Sequence, residues 1–560
     1  MHTPSRRHHH HHTHTQACVL SDSGHPGTID CQNGGVAAGV AFDTDNDACV
    51  CECEEGNSGK HCQCDNAVDC SDNGKCADST ADKTCTCDGN YDPATKCTEC
   101  KPGFSGPNCV CEDANGCTAT TCSEAQTQGC LENDGVLCLD KSITEIESYE
   151  DYLACQGTDC TGAFRHCDGL KAAIMPGVES IGRFAFWGCP DLTSISAPKA
   201  KLVDEKAFKQ CNKLPKVELP LATQIMDEAF HDCDVLTSVS MPNAKDIEKN
   251  AFSECDTLKK VHMPAATKVG QAAFRDAPEL TEVTMPLAED IGQSAFKDDL
   301  VLPAASMPAA TKIGESAFEG CPGLKRVEMP VVKGIGALAF KGLGELTEVS
   351  MPQALDIGKN AFKECKMLPS AAMPAATKIG GGAFWDCAKL TDVSMPLALD
   401  IEGLAFKDCK VLPQASMPAA TKIWEGAFRD CAELAAVTMP LVTNIDKFAF
   451  LGNLKLKSVS LPLAKDINQE AFKGCAALEE VDMPVATKIW GSGFSDCVAL
   501  TSVSMPAIEN VRQNAFKNCD KLETITPSAK PANVDMKGKL KKTVACCNEP
   551  AAAPACKSWC

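Results

Sequence analysis

Cysteine supplies most of the reactive chemistry in this chain of 560 residues, which contains 38 of them. Twenty-one precede residue 161, thirteen recur three residues after a phenylalanine from Cys167 to Cys519, and four lie near the end at Cys546, Cys547, Cys556 and Cys560. Cysteines packed into short segments serve either disulfides, which stabilise modules too small to build a core, or metal, which needs matched sets of ligands. In the first group C-x-x-C pairs with matching partners are missing, and glycines occupy fixed offsets for which a zinc site has no use. Disulfides are therefore expected, and with them an extracellular location, because cytosolic reductants would keep such bonds open.

Other chemistry finds less support. Asp43, Asp45, Asp47 and Glu54 imitate the spacing of a calcium loop, but Ala48 stands where that loop needs glycine and three cysteines intrude, so no metal is expected. The tract His8 to His12 with His14 reads either as a metal-binding run or as a low-complexity or tag-like start. From residue 161 to 530 the histidines are His166, His231 and His262, no glycine-rich phosphate loop appears, and every Asp, Ser or Lys candidate belongs to a repeating column. A catalytic constellation needs unique residues on a fixed frame. Neither an enzyme nor a cofactor is expected.

The elements that must position these residues are set by a repeat. Phenylalanine recurs every 22 residues without insertion, seventeen times from Phe164 to Phe516, and a leucine follows six residues after each, from Leu170 to Leu522. The unit reads A-F-x-x-C-x-x-L-x-x-V-x-M-P-x-A-x-x-I-G-x-x. A period of 22 residues with recurring apolar positions cannot bury itself alone and implies a solenoid, each coil completing its core against its neighbours. Leu390, Val393 and Met395 alternate as a short strand that Pro396 ends. Ile401, Ala405, Phe406 and Cys409 fall at helical spacing, which predicts a short helix or 3₁₀ turn. With strands about 4.8 Å apart, seventeen coils would span roughly 80 Å of curved sheet.

L-x-x-V-x-M-P-x-A-x-x-I-G-x-x-A-F-x-x-C resembles the leucine-rich repeat of the BspA-like class found on bacterial and protist surface proteins, over about two thirds of the chain. The strict 22-residue period, and alanine where many such repeats place asparagine, depart from that class. In the arm, Cys51, Cys53, Gly56, Gly59 and Cys62 reproduce C-x-C-x-x-G-x-x-G-x-x-C, which resembles the end of an EGF-like module. Cys85 and Cys87 with Cys100, Gly103, Gly106 and Cys109 resemble a laminin-type EGF module, and the resemblance implies that these cysteines are disulfide-bonded. The expected organisation is a polar His-rich tail at 1–17, an EGF-like module at 18–62, a laminin-type EGF-like module at 63–110, a Cys-rich connector and cap at 111–159, the leucine-rich repeat solenoid at 160–530 and a Cys-containing segment at 531–560.

The thirteen repeat cysteines read as buried free thiols, because Ala277, Asp299, Leu343 and Asn453 replace the thiol without any paired change next door. The net charge of −22 belongs mostly to the arm, where residues 1–160 hold 8 Lys or Arg against 27 Asp or Glu and the remainder 45 against 48. That distribution argues against a nucleic-acid partner. No apolar stretch of 18 residues exists, so no membrane-spanning helix is encoded, and the polar start carries no signal peptide.

Three surface columns are candidates for function. Sixteen residues after the phenylalanine, Asp and Lys alternate (Asp356, Lys378, Asp400, Lys422), which predicts an ion-pair ladder worth about 0.2 to 1 kcal/mol per pair. Ten residues after it the column is mostly hydroxyl, including Ser394, Ser416 and Thr438, with Glu328 and Asp482 as interruptions. It either accepts a glycan or extended peptide, or is simply what crowded exposed strands tolerate. Trp385 and Trp424 are candidate ligand anchors or, alternatively, covers for the next coil's apolar edge. The sequence thus points to an extracellular, secreted or surface-displayed binding protein for protein or glycan ligands, with a rigid spacer or matrix component as the alternative.

Overall fold

A computed structural model describes residues 164–526 and the stretches 136–139, 142–146 and 533–534, together with four short strands nearer the amino terminus. The chain divides into two units, residues 1–115 and 116–560. In the first, Gly74–Ala77 pairs antiparallel with Thr84–Cys87, and Phe104–Ser105 with Val110–Cys111. Cys51, Cys53, Cys62, Cys100 and Cys109 lie outside the described residues, and of Cys85 and Cys87 only the backbone is described.

In the second unit each 22-residue coil contributes two strands to two parallel ladders. One strand is three residues long, as in Asp392–Ser394, and the other two, as in Asp400–Ile401. Within the strict repeat every pairing between successive coils is in register at 22 residues, for example Ile379 with Ile401 and Ile401 with Ile423. Both strands aim one side chain inward, so Leu390, Met395, Ala398, Ile401, Ala405, Phe406 and Cys409 of a single coil are all buried. This happens because the apolar residues were placed at those positions in every copy, and a neighbouring coil covers each above and below.

The two-residue ladder runs without a break from Glu145–Ile146, which pairs with Ser180–Ile181, to Asn533–Val534, which pairs with Asn510–Val511. It thus extends one strand beyond the strict repeat at each end; at the amino-terminal end Val136–Cys138 pairs with Ala172–Ile174 as well. The three-residue ladder is instead cut into segments. In an unbroken segment the residue just before the strand donates its N–H to the preceding coil, as Thr237 does to Pro215 at 2.8 Å and Thr391 to Pro369 at 2.9 Å. Pro215, Pro303, Pro369 and Pro413 occupy that donor position and have no N–H to give, and a break falls at each. The fifth break, before Ser458–Ser460, has no proline; there the Lys457 N–H to Ala435 bond is stretched to 3.5 Å.

The expected helix is absent: no helix forms among the described residues. Two residues before each phenylalanine from Phe186 on, and two residues after each from Phe164 on, the backbone is left-handed, with φ from +50° to +79°. Left-handed residues four positions apart interrupt i to i+4 bonding, and the amides fall into two sets. Trp385 and Cys387 bond within their own turn, to Gly382 and Phe384, whereas Gly382, Phe384 and Asp386 donate to Gly403, Ala405 and Lys407 of the next coil. Asp or Asn fills the later left-handed position in many coils, among them Asp386, Asp408 and Asp430, residue types that tolerate it best after glycine. Close stacking also explains the glycine after the isoleucine: at Gly292 an added Cβ would lie 2.6 Å from the Gly270 backbone.

The phenylalanine rings form one continuous column from Phe164 to Phe516, with centroids 5.1–5.5 Å apart and planes within 15° of parallel. The cysteine column lies beside it. Its thiols donate to the carbonyl of the preceding coil's phenylalanine, as Cys409 does to Phe384 at 3.1 Å and Cys431 to Phe406 at 3.0 Å. Twelve of the thirteen are free and buried. Cys167 is disulfide-bonded, which corrects the expectation for the first coil, where the strict repeat meets the Cys-rich connector.

Two tests follow from this packing. Phe340→Ala, which opens a cavity between two rings, is expected to cost about 3–5 kcal/mol in guanidinium unfolding, and Phe516→Ala, at the partly buried end of the column, distinctly less. Alkylation of the denatured, unreduced protein should label at least the twelve thiols from Cys189 to Cys519; fewer labels would mean that the column is cross-linked.

Candidate functional site

The exposed face of the three-residue strands is built by their first and third residues, since the middle one points into the core. Ser394, Ser416 and Thr438 are exposed on three successive coils. Ser416 and Thr438 are register partners on paired strands. Ser394 belongs to the strand pair before the Pro413 break and partners Ala372, so the column continues across a seam in the sheet. Glu328 is half-buried between Ser306 and Ser350 and accepts a bond from Arg326 at 3.2 Å. Asp482 is exposed between Ser460 and Ser504. Glu328 and Asp482 interrupt the same column but lie seven repeats of 22 residues apart, so the fold does not bring them together.

The tryptophans lie elsewhere. Trp385, in the turn beside its phenylalanine, has the ammonium of Lys363 4.0 Å and that of Lys407 4.4 Å from its ring centroid, and its indole N–H donates to Asp408 at 3.2 Å. Trp424 sits two coils further on, at the start of the turn, exposed, with the Lys422 ammonium 3.1 Å from its ring centroid. Trp490 repeats that placement three coils later, flanked by Lys488 and Arg512. Trp385 and Trp424 therefore do not form one patch.

Asp and Lys of the alternating column are in-register neighbours, Asp356 with Lys378 and Lys378 with Asp400. The short contacts differ from those expected. Lys378 pairs with Glu402 at 3.0 Å and Lys268 with Glu248 at 2.9 Å, because a glutamate two residues beyond the column reaches the ammonium with its longer side chain. The bond to Glu402 comes first in raising the Lys378 pKa, and the charges of Asp356 and Asp400 add to it.

None of the thiols for which a shift is resolved is poised to react. Desolvation pushes Cys189 up to about 12, and it raises Cys211, Cys233 and Cys387 well above the usual thiol range; thiols that stay protonated are poor nucleophiles. Among the described residues no group of three or more His, Cys, Asp or Glu is placed to hold a metal ion. No helix there is long and apolar enough to cross a membrane.

Two polar residues inside the cysteine column were visible in the sequence only as missing thiols. Asp299 is fully buried and accepts the Ala277 N–H at 3.0 Å, while its other carboxylate oxygen has no partner. Asn453 accepts the Cys431 N–H at 3.0 Å in the equivalent place, leaving its amide nitrogen without one. Burial raises the Asp299 pKa well above the usual carboxylate range; the Ala277 N–H opposes this, and the charges of Asp276 and Asp298 reinforce it.

The model of the BspA-type leucine-rich repeat region matches residues 160–281, 289–413 and 400–523. No curated protein matches the chain. Among solved structures, a leucine-rich repeat protein from Bacteroides ovatus is 21% identical, with a TM-score of 0.44, over 60% of this chain and 82% of that one. A leucine-rich cell surface protein from Faecalibacterium prausnitzii is 24% identical, with a TM-score of 0.34, over 56% and 88%. An internalin from Listeria monocytogenes is 9% identical, with a TM-score of 0.23, over 62% and 82%.

Asp299 generates a pH test. Its folded pKa lies above that of the unfolded chain, about 3.9, so its stability contribution is whole below that pH and is lost as pH rises through the folded value. Asp299→Asn, which copies Asn453, should therefore stabilise the protein by roughly 1–3 kcal/mol at pH 7 and by almost nothing at pH 4. Chemical unfolding at the two pH values checks this, and an equal gain at both would locate the effect outside the carboxyl.

Proposed function

Since the chain belongs to the BspA-type leucine-rich repeat family, we propose that it is an extracellular recognition protein. Its solenoid presents the hydroxyl-rich strand face to protein or glycan ligands, and the disulfide-bonded EGF-like modules of the amino-terminal arm hold that face away from whatever surface bears it. The observation that carries this reading is the exposed column of Ser394, Ser416 and Thr438 on consecutive coils. Its hydroxyls both donate and accept hydrogen bonds, and a rigid parallel frame repeats them at the strand spacing, which suits an extended ligand with repeating polar groups. Glu328 and Asp482 mark where the hydroxyl column takes a negative charge and so where specificity would be set. Trp424, with one face on Lys422, would offer its other face to an apolar or sugar ring at the turn. The chemistry of the solenoid is that of a scaffold: its thiols are buried and its charges repeat from coil to coil.

The unbroken phenylalanine stack also supports the rival reading of a stiff spacer with no ligand of its own. Binding separates the two. The full-length oxidised chain should bind saturably to at least one member of an array of glycans and matrix proteins. Ser416→Arg with Thr438→Arg should weaken that binding tenfold or more while leaving the unfolding transition in place. Binding unaffected by the pair would remove the strand face from consideration, and no binding at all would favour the spacer.

A further inference from the structure

The corner between the two strands of each coil exposes an apolar column outside the proposed recognition face. The residue after the Met-Pro pair, or after Leu461 and Pro462 in one coil, is Leu397, Ala419, Leu441, Leu463 and Val485 on five consecutive coils, and the four larger ones are 53%, 46%, 42% and 38% exposed respectively. Leu399, 48% exposed, widens the strip toward the charge column. Five coils at about 4.8 Å make a ridge about 20 Å long. Single exposed leucines need no explanation, but an apolar strip that runs over five coils marks an interaction surface.

The charge column beside the ridge identifies the occupant. It reads Asp400, Lys422, Asn444, Asp466, Lys488, so the alternation inverts its phase at Asn444. Inside one chain the inversion brings no benefit, since Asp at 444, Lys at 466 and Asp at 488 would give each of these coils neighbours of opposite sign. Outward from Asn444, however, Lys422 on one side is matched by Asp466 on the other, and Asp400 by Lys488. A column with that antisymmetry is complementary to itself when turned end for end.

We propose that this corner docks onto the same corner of a second copy of the chain, antiparallel, about a two-fold axis through the coil of Leu441 and Asn444. Leu441 then meets its own copy, Leu463 meets the small Ala419, and Leu397 meets Val485. In the flanking column Lys422 faces Asp466 and Asp400 faces Lys488, and the residue on the axis, where a charge would face itself, is the neutral Asn444. Such an isologous contact is closed and stops at two subunits. A second inversion occurs at Gly334, between Lys312 and Asp356, but Gln353 interrupts the apolar column there, which singles out the Leu441 corner. The ridge is short compared with the roughly 800 Å² per partner of a stable interface, so the dimer is weak and forms where copies are crowded, adding a second binding arm to each unit.

Sedimentation velocity of the full-length oxidised protein over a wide concentration range tests this. A monomer–dimer equilibrium is expected. Leu441→Glu, which sets two carboxylates against each other on the axis, should weaken it at least tenfold with the melting curve unchanged. Lys422→Asp should weaken it, and Lys422→Asp combined with Asp466→Lys should restore it, a rescue that damage to the fold would not produce. A protein that stays monomeric, a dimer indifferent to Leu441→Glu, or a charge exchange without rescue would each overturn the proposal.

Discussion

Each coil must lie one strand spacing from the next at every point of its perimeter, and the rest of the structure depends on that requirement. Parallel ladders hold it on the strand sides at about 4.8 Å. On the turn side, alternate amides donate across the gap and the phenylalanine rings stack at 5.1–5.5 Å. The two constraints are compatible because rings offset by a little more than the strand rise still lie in contact. A uniform spacing also forbids insertions, since an extra residue in one copy would displace its ring from the column and its strands from both ladders.

The same requirement shapes the turn. A short helix would direct its amides along its own axis and leave the neighbouring coil without donors. Left-handed residues two before and two after each phenylalanine instead send every second N–H to the next coil. The strain of placing Lys206, Leu404 or Phe448 in that conformation is borne by the N–H of each bonding to the next coil and its carbonyl accepting within the turn. Cysteine suits the position after the turn because a small thiol fits the packed column and still donates to the carbonyl beneath it. Asp299 shows what happens when the position takes a charge-bearing group: one oxygen is satisfied, and the other is buried without a partner.

Function is constrained by repetition. Because adjacent coils hold equivalent residues close together, the exposed side chains form columns, and a site on such a surface is made by a row or by an interruption in one. The hydroxyl row, the apolar corner and the charge column beside that corner are three such rows. Proline also acts by column: at four coils it removes the donor that would continue the three-residue ladder, so the sheet carrying the hydroxyls is segmented while the two-residue ladder is continuous.

The 22-residue period, the inward residues, the solenoid and the free thiols from Cys189 onward could all be read from the sequence, because apolar periodicity reports burial directly. The hydroxyl column could be read too, since its position in the repeat places it outward on a strand. What the sequence misassigned was the segment from Ile401 to Cys409, where helical spacing of apolar residues is equally produced by a turn with left-handed residues at Leu404 and Asp408, and periodicity cannot distinguish them. Only the tertiary structure decided which neighbour each side chain reached. Lys378 bonds Glu402 rather than the aspartates beside it, Trp385 lies between two lysines of other coils, and Cys167 leaves the thiol column for a disulfide. Composition and period determine which residues face inward, because burial is a property of the single coil repeated. Partners, breaks and bonds depend on the residue that happens to lie one coil away, and that neighbour exists only once the chain has stacked.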